Sequence, residues 1–165
     1  MAELTPNERL QPSLLDRLTD THPKGEKESR EERVLSVRQL RKSVLRDLEW
    51  LLNAGRLETT EDLSEYPEVR RSVLNYGIPD LAGTTASSMD VYQLEQTLRQ
   101  VILDFEPRIL PHNLRVQITR NETEMSTNSI TLEIEGEIWG QPLPEHLYLK
   151  TVLDLELGVF NFPEN

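Results

Sequence analysis

The stretch Ile130-Thr131-Leu132-Glu133-Ile134-Glu135-Gly136-Glu137-Ile138 decides the fold class. Apolar and polar residues alternate with period two. Ile130, Leu132, Ile134 and Ile138 therefore share one face, and Thr131, Glu133, Glu135 and Glu137 share the other. Clean alternation of this kind belongs to an antiparallel sheet with one dry face and one wet face. Gly136 falls on the dry face, where a bulge or a close backbone approach is expected. Upstream, Leu114, Val116 and Ile118 alternate with Arg115, Gln117 and Thr119. Downstream, beyond the turn Gln141-Pro142-Leu143-Pro144, the leucines 147, 149, 153, 155 and 157 define a third strand. Asn121 to Asn128 is polar and turn-like. The expectation is a three-stranded meander with two open edges, and such edges invite pairing with another chain.

Before Pro111 the apolar period is close to 3.6. Val34, Val37, Leu40, Val44, Leu45, Leu48, Leu51 and Leu52 form one stripe, so a helix is expected over 34–52, with Asn53 and Gly55 as a left-handed stop. A second short helix opens at Tyr66-Pro67-Glu68, with Val69, Val73 and Leu74 as its apolar positions, and ends at Asn75-Tyr76-Gly77. Gly77 suits a positive φ there, and Pro79 blocks continuation. A third helix is expected from about Met89 to Phe105, capped by Ser87 or Ser88 and ended by Pro107. Helices first and strands last give an α+β fold, with N-terminal helices packed on one face of a C-terminal three-stranded antiparallel sheet.

The chain has 165 residues, 18 basic and 29 acidic, for a net charge of −11. That balance opposes non-specific binding to nucleic acid or to anionic membranes. No window approaches the roughly 18 apolar residues of a spanning helix, and Met1–Asp20 lacks the apolar core of a secretory signal. The one basic stretch, residues 34–56, has five basic and two acidic side chains. Its solvent face is expected to pair with acidic neighbours, or else to dock an acidic partner. Residues 1–33 read as a partner-docking segment followed by a flexible linker, and residues 34–165 as the folded domain. In the first part Ser13 caps a short turn carrying Leu14, Leu15 and Leu18, too short to be stable alone. Those leucines need either the protein's own body or a partner. Thr19 to Arg33 is polar and charged, as a linker is.

Reaction chemistry finds little support. With no cysteines there is no thiolate nucleophile, disulfide or thiolate zinc site. His22, His112 and His146 lie in a linker, a loop and a turn, without metal-ligand spacing. No cofactor and no metal is expected. Glu133, Glu135 and Glu137 share a strand face, but solvated carboxylates keep ordinary pKa values and do not serve as a general acid. The segment that stands out is Phe105-Glu106-Pro107-Arg108. A glutamate at a helix C-terminus opposes the helix dipole and needs a partner, and Pro107 fixes the backbone between the two charges. Two readings remain open. Glu106 and Arg108 brace the helix exit, or they form a rigid charged corner in which Arg108 grips a partner's carboxylate.

Glu106-Pro107-Arg108 after a helix ending Leu103-Asp104-Phe105 resembles the signature of the phage baseplate wedge family, whose bacterial members are the TssE baseplate proteins of type VI secretion systems. Three further motifs follow in the family's order. They are Ser13-Leu14-Leu15-Asp16-Arg17-Leu18, the run Ser43 to Asn53, and Tyr66-Pro67 followed by Ser72 to Asp80. The resemblance covers nearly the whole chain apart from Thr19–Arg33 and the tail after Gly158. It implies a structural, non-enzymatic subunit of a contractile injection machine. Its implied partners are the wedge subunits TssF, TssG and TssK and the sheath subunits TssB and TssC. Its implied place is a cytoplasmic baseplate docked at the inner membrane complex. The resemblance further implies that Glu106, Pro107 and Arg108 anchor the protein to the wedge, that Leu14, Leu15 and Leu18 dock on a partner, and that the sheet templates the first sheath ring. Two rival classes are a peptidoglycan hydrolase of lysozyme type, a label some relatives carry, and a small cytosolic protein-binding adaptor.

Overall fold

The computed structural model describes residues 13–19, 37–120, 128–140 and 144–162. Four helices precede four strands. The helices are α1 (Leu14–Leu18), α2 (Val37–Leu52), α3 (Pro67–Arg70) and α4 (Val91–Phe105), and the strands are β1 (Arg115–Arg120), β2 (Ser129–Ile138), β3 (Glu145–Asp154) and β4 (Val159–Asn161). The strands form one antiparallel sheet in the order β1-β2-β3-β4. The α+β class is therefore as expected, with one strand more. The expected third strand ran to Leu157, but β3 stops at Asp154. The Asp154 carboxylate accepts the amides of Glu156 and Leu157 at 2.8 and 3.1 Å, and Gly158 turns the chain at φ +69°. Leu157 is thrown outward, 72% exposed, and the chain returns as β4.

Helices α2 and α4 cover the dry face, α4 lying along β1 and α2 against β3. The α2 stripe of Leu40, Val44, Leu48, Leu51 and Leu52 meets Leu94, Leu98 and Ile102 of α4 and Ile130, Leu132, Ile134, Ile138, Leu147 and Leu153 of the sheet in one core. Each such side chain contributes about 1.5–3 kcal/mol on full burial. Gly136 is buried in that face, where an added Cβ would make ordinary contacts, 3.6 Å from Ile109 and 3.7 Å from Leu114, and it pairs in register with Leu147, so no bulge interrupts β2.

Several boundaries differ from expectation. Asp90, not Ser87 or Ser88, caps α4, its carboxylate accepting the Gln93 amide at 3.0 Å. Gly55 is not in the left-handed region, so it is not the expected left-handed stop. Asn53 turns instead to the sheet, exchanging two hydrogen bonds with the backbone of Phe160 in β4. The expected second helix breaks into α3 and a 3-10 turn at Val73–Asn75, and Val73 and Leu74 are exposed. Asn75 is the buried centre of that turn, accepting the Glu58 amide and donating to the Arg70 carbonyl, each at 2.9 Å. Gly77 does adopt positive φ, +120°, against the backbone of Ala54. Val34, the linker 20–33 and the link 121–127 lie outside the described residues.

Candidate functional site

Glu106 is the C-cap of α4 and is 3% exposed. A buried carboxylate at the negative end of a helix dipole is doubly unfavourable unless a cation meets it. Arg108 is that cation. Its Nε donates to Glu106 Oε1 at 2.6 Å, its Nη2 donates to Glu106 Oε2, and its backbone amide donates to Oε1 at 3.2 Å. The guanidinium then crosses to α2, where Nη2 donates to Asp47 and Nη1 donates to the Ser43 hydroxyl at 3.1 Å. Burial of the guanidinium opposes its charge, but Glu106 and then Asp47 outweigh that and hold it above the ordinary arginine range. Pro107, between the two charged residues, is exposed.

The corner is also tied to the sheet. The Trp139 amide donates to the Arg108 carbonyl at 2.7 Å, the Leu110 amide donates to the Glu137 carbonyl at 2.8 Å, and Ile109 bridges Ile138. One three-residue turn thus joins α4, α2 and the end of β2.

The chain of charges continues outward. Arg46 donates to Asp47 Oδ1 through Nε and Nη2 at 2.9 and 2.8 Å, and through Nη1 to Asp16 of α1 at 2.6 Å. Its guanidinium lies 4.9 Å from the Trp50 ring centre, a cation–π contact. Ser13 caps α1 as expected, accepting the Asp16 amide. Burial alone would raise the Asp16 carboxyl, but hydrogen bonds from Arg46 and Ser13 outweigh it and hold the group below its ordinary value. On α1, Leu15 is 45% and Leu18 74% exposed, and Leu14 opens the helix. Ser13, Asp47, Trp50, Tyr76, Phe105 and Pro107 surround an open cleft of about 420 Å³ beside the corner.

The expected site residues thus fall in two places, the corner and α1, linked through Arg46 and Asp47. Sequence reasoning missed Asp16, Ser43, Arg46 and Asp47 as a network. The available signal was Ser43 and Asp47, polar residues one turn apart beside the apolar stripe of α2.

The two sheet edges are unequal. The outer edge of β1 is partly covered by α4: Glu95 accepts the Ile118 amide at 2.8 Å, and Arg99 Nε donates at 3.3 Å to the carbonyl of Leu114, just before the strand. On the other side, β4 covers only Val152–Asp154 of β3. The Leu155 amide bonds Asn128 on the β2 side, so by alternation the amides of His146, Tyr148 and Lys150 face outward. Among the described residues no strand pairs with that edge.

Among the described residues no group of three or more His, Asp or Glu side chains could hold a metal ion. On the wet face Glu133 is paired with Lys150 at 2.8 Å, and His146 lies 3.4 Å from Glu135. No helix among the described residues is long and apolar enough to cross a membrane.

The described residues thus form a small α+β scaffold with a braced corner and one sheet edge that no described strand covers beyond Val152–Asp154. Residues 38–143, more than half of the chain, match the family described as baseplate wedge protein gp25, and the chain belongs to that family. It is a structural component of the baseplate-wedge class, which works by contact with other baseplate proteins. No curated protein matches the chain.

Proposed function

We propose that this chain is the TssE-type subunit of a type VI secretion baseplate, binding the wedge subunits TssF, TssG and TssK and starting polymerisation of the TssB–TssC sheath. The observation that carries this reading is the unequal pair of edges in a chain of the baseplate wedge family. One edge is partly covered by Glu95 and Arg99, and the other leaves the amides of residues 146, 148 and 150 facing out. An open ladder of that kind accepts an extended segment from a sheath subunit by main-chain pairing. The corner of Glu106, Pro107 and Arg108 anchors the protein to the wedge. Its charges are engaged within the chain, so the contact surface it offers is the exposed Pro107 and the neighbouring cleft. Leu14, Leu15 and Leu18 belong to a docking segment, residues 1–33 including the linker, and residues 34–165 are the wedge domain. Exposed Leu15 and Leu18 support that role. The setting is a cytoplasmic baseplate docked at the inner membrane complex.

Tyr148→Pro tests the template. It removes an outward amide and leaves the bonds to β2, a position where an edge strand tolerates proline. The expected result is retained binding of wedge subunits with loss of sheath assembly. Unchanged sheath assembly refutes the template.

A further inference from the structure

We propose that the cleft beside the corner receives a basic side chain, lysine or arginine, from the wedge partner. This rests on the wedge-binding reading above and specifies its chemistry. A partner carboxylate is the obvious ligand for Arg108, but the Arg108 fork is already engaged. Its Nε and Nη2 serve Glu106 and Asp47, and Nη1 serves Ser43.

The charge balance points the other way. The network holds three carboxylates, Asp16, Asp47 and Glu106, against two guanidiniums, Arg46 and Arg108, a surplus of one negative charge. The cleft walls suit the rest of a long cationic side chain. Trp50, Phe105 and Pro107 offer apolar surface to its methylene stem, and aromatic faces attract its charge. Trp50 is half exposed and already holds Arg46 against its ring. Tyr76 also lines the cleft, with its ring packed edge-on against Phe105 at 5.3 Å. Among the described residues its hydroxyl has no hydrogen-bond partner, which leaves an oxygen to accept from an ammonium or guanidinium group. Burial pushes the Tyr76 phenol up, and the charges of Asp47 and Glu106 push it further, so an approaching cation meets a negative field there.

The test uses opposite charges at one exposed site in the full chain. Binding to the wedge subunits of the same cluster is measured for Trp50→Lys and Trp50→Glu at equal folded concentration. Tyr92→Lys and Tyr92→Glu form a control pair near the far end of α4, about 20 Å along the helix from Glu106. The expected result is that Trp50→Lys binds at least ten-fold more weakly than Trp50→Glu, while the Tyr92 pair differs by less than about three-fold. Tyr76→Phe is expected to weaken binding several-fold with the fold retained. Equal losses at Trp50, tighter binding by Trp50→Lys, or an equal charge effect at Tyr92 each overturn the proposal. If the wild type binds no wedge subunit, the wedge-binding reading fails and the proposal falls with it.

Discussion

Removing Arg108 while keeping Glu106 is the perturbation that most exposes how the corner is built. In Arg108→Met the Glu106 carboxylate, 3% exposed, loses both side-chain donors and keeps its unfavourable place at the end of α4. Breaking a buried pair from one side costs about 3–5 kcal/mol. Whole domains are stable by only about 5–15 kcal/mol, so this is about a fifth or more of the total. The melting temperature is expected to fall by about 10 °C. Glu106→Gln is milder, about 1–3 kcal/mol, because Asp47 still holds the guanidinium, which is also less buried than Glu106. The double variant removes both charges together and is expected to cost less than the two singles summed, by about 2 kcal/mol. Urea unfolding at neutral pH, followed by the fluorescence of Trp50 and Trp139, gives all four stabilities. If Arg108→Met costs under 1 kcal/mol, or if the two singles simply add, the brace described here is wrong.

Three other outcomes follow from the geometry. Gly77→Ala would place a methyl group 2.3 Å from the Ala54 carbonyl oxygen at φ +120°, and is expected to cost at least about 2 kcal/mol in urea unfolding, whereas Gly83→Ala, at φ +74° with open space around it, is expected to cost about 1 kcal/mol. Asn75→Ala removes the partner of the Glu58 amide and the donor to the Arg70 carbonyl, and about 1–3 kcal/mol of stability is expected to go with them in the same assay. Asp16 has its folded-state pKa held below the ordinary 3.8, so the stability it contributes is full above that value and lost as pH falls through the folded value; a carboxyl titration by NMR is expected to show a midpoint below 3.8, moving back up in Arg46→Met.

Much of the fold is legible in the sequence because its signals are periodic and local. The stripe read from Val34 to Leu52 and the alternation around Ile134 each span several repeats, and the structure buries Leu40, Val44, Leu48, Leu51 and Leu52 and the isoleucines of β2, while Val37 is 40% exposed, Leu45 is partly buried, and Thr131, expected on the wet face, is buried. The short fourth strand has three residues, too few for a period to show, and depends on the turn at Asp154 and Gly158. The Asp90 cap was lost among neighbouring serines that satisfy the same rule. At the corner, Glu106-Pro107-Arg108 marks a charged pair in the sequence because the two residues are only two apart. Ser43 and Asp47 stand 65 and 61 residues from Arg108, and Asp16 stands 30 from Arg46, so packing alone brings them together. Within the chain the Arg108 donors go to Glu106, Asp47 and Ser43, and no local pattern names the last two.

The most direct test of the central claim is co-purification of the full chain with the wedge subunits of the same secretion cluster. Wild type would be compared with the Glu106→Gln/Arg108→Met double variant at equal folded concentration. A baseplate wedge subunit anchored at this corner is expected to bring the wedge subunits down with the wild type and to lose most of that capture in the variant. Failure of the wild type to capture any wedge subunit would contradict the account.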